Sequence, residues 1–177
     1  MTEHRKTFQT ATTEIVKMQQ TGKITDYEAA IIHNRRMDGR DDLPSSLIVY
    51  SDENVMVHVP KAQTSQWEVQ VMAISDNNGV FVGNILEADR KSRKSFDKGI
   101  FIAQQALAGL GAQMVTSIEY SKPLCEARNQ PLIYALLPRL PESPAAFSEN
   151  QMRFLNGHFP EDFARALRTS LTQRNIL

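Results

Sequence analysis

The chain has 177 residues, enough to bury a core, and residues 1–177 are expected to form a single domain. Twenty basic residues balance twenty acidic ones, so no global field draws the molecule toward nucleic acid or a membrane, and any electrostatic recognition must be local. The lone cysteine, Cys125, excludes an intramolecular disulfide; no apolar run reaches the ~18 residues of a membrane span and no h-region opens the chain, so a cytoplasmic location is expected.

Phe8, Ala11, Ile15 and Met18 fall at helical spacing, and Gly22 can end that helix. Thr25 and Glu28 have the spacing of a capping box, and Tyr27, Ala30, Ile31 and Asn34 share one side of the helix it would open. The chain therefore begins as a helical hairpin, closed by Gly39 and followed by the linker "DGRDDLPSS".

Short apolar and alternating runs come next. "LIVY" and "VMVHV" flank the polar turn "SDEN" and read as a β-hairpin. In "WEVQVMAI", Trp67, Val69, Val71 and Ala73 share one face, while Glu68, Gln70, Met72 and Ile74 share the other. Asn78-Gly79 signals a hairpin turn, which makes "VFVGNIL" the return strand.

Phe96, Ile100, Ala103, Leu107 and Leu110 then form a helical stripe, with Ser95 as the expected N-cap and Asp97 in the first turn. On that reading Arg90 to Lys94 form a basic approach loop ahead of the helix. "MVTSIEY" and "LIYALL" return to strand. "PRLPESP" is an extended connector, and Ser148 with Gln151 caps a short helix ending at Gly157. Pro160 opens the last helix, whose buried stripe is Phe163, Leu167 and Leu171. The expected fold is α+β: a mainly antiparallel sheet of about six strands with an N-terminal helical hairpin, one central helix and two C-terminal helices.

The chemistry is sparse. The four histidines, His4, His33, His58 and His158, are scattered, and no CxxC or HExxH occurs, so no metal is expected. His58 reads as an ordinary strand-face histidine. Lys122 and Arg128 could favour a Cys125 thiolate, but no nucleophile signature surrounds it. Asp52, Glu68 and Gln70 only loosely imitate a nuclease carboxylate set. No GxGxxG or GxxxxGK[ST] is present, and no cofactor is expected. The basic segment remains: Arg90, Lys91, Arg93, Lys94 and Lys98 can hold an anionic, phosphate-bearing ligand or neutralise nucleic-acid phosphates, though no interleaved aromatics support base stacking.

With no catalytic motif in view, the leading expectation is a non-enzymatic protein-binding or adaptor domain. The order of helix, antiparallel strands, helix, two strands and helix resembles the small dimeric chaperones of type III secretion. That resemblance implies a protein partner or homodimer, with Met72 and Ile74 on the partner surface. The alternatives are an enzyme or binding protein for a phosphate-bearing ligand using the basic loop 90–98, and a nucleic-acid-binding accessory protein.

Overall fold

The computed structural model describes residues 24–36, 38–61, 63, 65–124, 127, 129–139 and 157–177. The expected first helix, the Ser148 cap and Cys125 lie outside these residues. In chain order the elements are α1 (Ile24–Ile32), β1 (Ile48–Ser51), β2 (Val55–His58), β3 (Val69–Ala73), α2 (Arg90–Gly109), β4 (Met114–Tyr120), β5 (Ile133–Arg139) and α3 (Pro160–Gln173). The class is α+β, and the sheet has five strands in the order β1-β2-β3-β5-β4, every neighbouring pair antiparallel.

The alternation of apolar residues decides which face each helix covers. Val55, Val57, Val69, Val71, Ala73 and Leu136 are buried on one face. Against them pack Phe96, Ile102, Ala103 and Leu107 of α2, and Phe163, Leu167 and Leu171 of α3. Gly99 lets α2 approach closely: a Cβ there would meet Val71 Cγ1 at 2.9 Å. Trp67 stacks on Phe163 at 6.2 Å, which joins the start of β3 to α3. The second face carries a smaller cluster of Met56, Met72 and Ile133, covered by Leu47 and by Ile31 of α1. Glu28 does not stay within its own helix but accepts from Ser75 Oγ at 2.7 Å, tying α1 to the end of β3.

Both long helices end in the same way. Past α2, Gly111 sits at φ +95°, Ala112 N–H donates to Leu107 O (3.0 Å) and Gly111 N–H to Ala108 O (3.0 Å). Past α3, Asn175 sits at φ +53°, Ile176 N–H donates to Leu171 O (3.0 Å) and Asn175 N–H to Thr172 O (3.1 Å). These are Schellman caps, which satisfy carbonyls that the helix itself leaves open.

Two expectations need correction. The Asn78-Gly79 turn forms, with Asp76 N–H donating to Val80 O at 2.8 Å, but residues 80–86 do not return as a strand. β5 takes that place beside β3, pairing Val69 with Leu136 and Val71 with Tyr134. The other correction concerns the basic run. α2 begins at Arg90, not after Lys94, because Asp89 is the N-cap and its Oδ1 accepts from Ser92 N–H at 2.7 Å. Ser95 lies inside the helix, where its Oγ accepts from Asn54 Nδ2 at 3.0 Å.

Candidate functional site

The cations expected before the helix therefore occupy its first turns. Arg90, Lys91, Arg93, Lys94 and Lys98 are all exposed. Three of them already have partners. Lys91 Nζ pairs with Glu53 at 2.5 Å. Arg93 donates from Nε to Ala88 O (2.9 Å) and from Nη2 to Ile85 O (3.0 Å), so it braces the preceding loop. Lys98 Nζ lies 4.8 Å from the Tyr50 ring centroid, and its hydrogen bond to Tyr50 raises its pKa. Arg90 and Lys94 make no ion pair among the described residues. They line a shallow depression of about 480 Å³ with Ala88, Arg93 and Asp97. Of the neighbouring acids, Glu87 pairs with Lys122 and accepts from Gly83 N–H (3.0 Å), while Asp89 serves as the cap.

A second polar constellation lies on the other face of the sheet. The register sets His58 beside Gln70, Gln70 beside Ala135, and Ala135 beside Ile118, so one row crosses four strands. The next row is Met56, Met72, Ile133 and Tyr120. His58 is fully buried, and neither ring nitrogen has a hydrogen-bond partner among the described residues. Burial alone lowers its pKa to about 3, so the ring is neutral at ordinary pH, with one donor and one acceptor nitrogen. Gln70 Nε2 donates to Glu68 Oε1 at 2.8 Å, while Gln70 Oε1 is buried and unpartnered. The Tyr27 ring meets His58 edge-on at 6.3 Å. Burial, then the Glu68 charge, raises the Tyr27 and Tyr120 hydroxyl pKa values.

The sequence-level sites fare unevenly against this geometry. Met72 is fully buried and Ile74 half-buried, both in the cluster beneath Ile31 and Leu47, so the partner surface expected there is filled by the chain itself. Asp52 does not join Glu68 and Gln70. It holds the β1–β2 turn through Asn54 N–H (2.9 Å) and Val55 N–H (3.0 Å), at the opposite end of the hairpin. Sequence reasoning missed the His58–Gln70 pair. The signal was available as two polar residues on strand faces otherwise occupied by Met56 and Met72, but their adjacency depends on register.

No protein-family model matches the chain, and no curated protein matches it by sequence. Solved structures do share its fold. A uridylyltransferase aligns over 90% of this chain and 51% of its own, at 15% identity and a TM-score of 0.62. An ADP-glucose phosphorylase from Arabidopsis thaliana with bound ADP-glucose aligns over 69% and 39%, at 17% identity and a TM-score of 0.53. A hypothetical histidine triad nucleotide-binding protein from Sulfolobus tokodaii aligns over 72% and 84%, at 16% identity and a TM-score of 0.51. The chain spans about half the length of the uridylyltransferase structures it matches. These likenesses overturn the expectation of a non-enzymatic adaptor of the secretion-chaperone kind, which rested on an element order containing the return strand that does not form. One departure from the triad protein is plain. His33, His58 and His158 lie beyond α1, in β2 and before α3, and no three His, Cys, Asp or Glu residues come together to hold a metal ion among the described residues. No helix among them is long and apolar enough to cross a membrane.

Proposed function

We propose that the chain binds a phosphate-bearing ligand of the nucleotide class, a nucleoside phosphate or a sugar nucleotide, with its phosphates against the first turn of α2. The observation that carries the reading is the fold shared with a uridylyltransferase, an ADP-glucose phosphorylase and a histidine triad nucleotide-binding protein. Electrostatics supports the place. Cations in a first turn are opposed by the positive end of the helix dipole. A bound phosphate reverses the sign of that interaction and accepts from the amides there. Arg90 and Lys94 supply the charge, Asp89 holds the turn in shape, and Arg93 fixes the loop before it.

The test is thermal denaturation and calorimetry with UDP-glucose, ADP-glucose, AMP and inorganic pyrophosphate. At a hundredfold excess over Kd, a ligand stabilises the wild-type chain by about 2.7 kcal/mol. The double variant Arg90→Ala, Lys94→Ala should lose most of that gain while keeping the melting temperature of the unliganded chain. A wild-type chain whose melting temperature no member of the panel raises would overturn the reading.

A further inference from the structure

We propose that Asn34 and Glu161 form a binding site for a hard cation of the calcium kind, between the end of α1, the segment before β1 and the first turn of α3. The site does not rest on the phosphate reading, because it shares no residue with the cations of α2.

Two buried oxygens carry the inference. Glu161 is 1% exposed and Asn34 is 9% exposed, yet Glu161 Oε2 and Asn34 Oδ1 have no hydrogen-bond partner among the described residues. Asn34 Nδ2 donates to Ser45 O at 2.8 Å and to Glu161 Oε1 at 2.9 Å, which uses both of its hydrogens. Both partners are acceptors, so turning the amide over would only set its oxygen against theirs. Each unpartnered oxygen shares a carbon with an atom of the Nδ2–Oε1 bond and so lies beside it. Buried polar groups in folded chains are nearly always partnered. These two are acceptors, and the Ser45 carbonyl next to them keeps a second lone pair. Such a set suits a cation.

Charge favours a metal ion over water. Arg36 pairs with Asp38 (2.7 Å) and Asp162 (3.2 Å), and Arg165 also pairs with Asp162 (3.2 Å), so two cations and two anions offset one another there. Lys61 donates to Arg35 O at 2.8 Å, at the surface. In the first turn of α3, Asp162 and Phe163 N–H both donate to Phe159 O (3.1 Å each), and Pro160 has no N–H. The Glu161 carboxylate is left with one neutral donor and the positive end of the helix dipole. A carboxylate, a side-chain amide and a peptide carbonyl are oxygen ligands that calcium takes in irregular geometry. Magnesium demands a near-ideal octahedron, and zinc favours nitrogen and sulfur. With one charged ligand the affinity should be weak, ~10⁻⁴–10⁻³ M. The bound ion ties α1 and the segment before β1 to α3.

The experiment uses the full chain, treated with EGTA, with terbium as a luminescent stand-in for calcium. Trp67, the single tryptophan, stacks on Phe163, two residues from Glu161, and serves as the antenna. Exciting it should produce terbium emission that calcium removes by competition at one site. Calcium chloride should also raise the melting temperature more than sodium chloride of equal ionic strength. Glu161→Gln should weaken calcium binding about tenfold or more. Without calcium the same variant should melt no lower than the wild type, because it removes a buried charge. Asn34→Asp, which adds a second charged ligand, should tighten calcium binding about tenfold. Arg90→Ala, Lys94→Ala should bind calcium as the wild type does, which separates this proposal from the phosphate reading. Absent terbium emission, or a melting shift that sodium chloride matches, would sink the proposal. So would a folded Glu161→Gln chain that binds calcium like the wild type, since the two oxygens would then be satisfied by water alone.

Discussion

The two faces of the sheet are made by the same strands, yet they are built by different rules. Toward α2 and α3, β2 and β3 present Val55, Val57, Val69 and Val71, all buried among aliphatic and aromatic side chains. Toward α1, they present Met56 and Met72, and beside these His58 and Gln70. The first face is what a sequence selected for packing produces. The second keeps three buried polar atoms, both His58 nitrogens and Gln70 Oε1, without hydrogen-bond partners among the described residues. The difference teaches that the face under α2 and α3 carries the main aliphatic core, while the face under α1 combines a smaller apolar cluster with buried polar side chains.

That contrast can be broken experimentally. The first face should answer most strongly to lost volume. Phe96 is 2% exposed and meets Tyr134 edge-on at 5.7 Å. Phe96→Ala should cost about 3–5 kcal/mol in urea denaturation. A cost below ~1 kcal/mol would mean that this face is not the main core.

The second face should answer to pH. The ordinary histidine value is 6.5, and burial brings His58 to about 3. Below pH 6.5 the unfolded chain takes up a proton at this residue, while the folded chain does not until near pH 3. Stability therefore falls as pH drops through that window, by up to about 1.4 kcal/mol per pH unit from this one group. Above pH 6.5 the effect vanishes. His58→Phe should remove it, so the stability difference between variant and wild type should shift by roughly 2–3 kcal/mol in the variant's favour from pH 6 to pH 4. Parallel pH profiles for the two chains would show that His58 is not the buried neutral base described above.

How much of this was legible beforehand follows the range of the interactions. The valine alternation in β2 and β3, the α2 stripe from Phe96 to Leu107 and the α3 stripe from Phe163 to Leu171 are local patterns, and the structure keeps each of them. The partner of β3 is not local. Residues 80–86 carry a strand-like pattern right after a hairpin turn, but β5, arriving some sixty residues after β3, pairs there instead. The site divides in the same way. The cations of residues 90–98 are visible as composition, whereas the Glu53 that holds Lys91 and the Tyr50 beneath Lys98 come from the β1–β2 hairpin. His58 and Gln70 stand twelve positions apart, and only the register makes them neighbours.

The smallest expected effect concerns the start of α2, where Asp89 and Ser95 are both good cap residues by type. A helix opening at Ser95 would keep the cations out of the first turn; one opening at Asp89 brings them in. Tertiary contacts favour the longer helix, since Lys91 reaches Glu53 and Arg93 reaches the carbonyls of Ile85 and Ala88. The Ser92 amide proton holds the Asp89 carboxyl below its usual range, as a capping carboxylate should be. Asp89→Ala should therefore lower the melting temperature by roughly 2–4 °C. Ser95→Ala should lower it less, because that hydroxyl bonds Asn54 and Asp52 of the β1–β2 turn and caps no helix end. The reverse order would move the helix start back to Ser95 and return Arg90 to Lys94 to a loop. Pyrophosphate binding then distinguishes the two ends of the argument: if the first turn is the phosphate contact, Asp89→Ala should weaken it by loosening the turn, and Ser95→Ala should leave it unchanged.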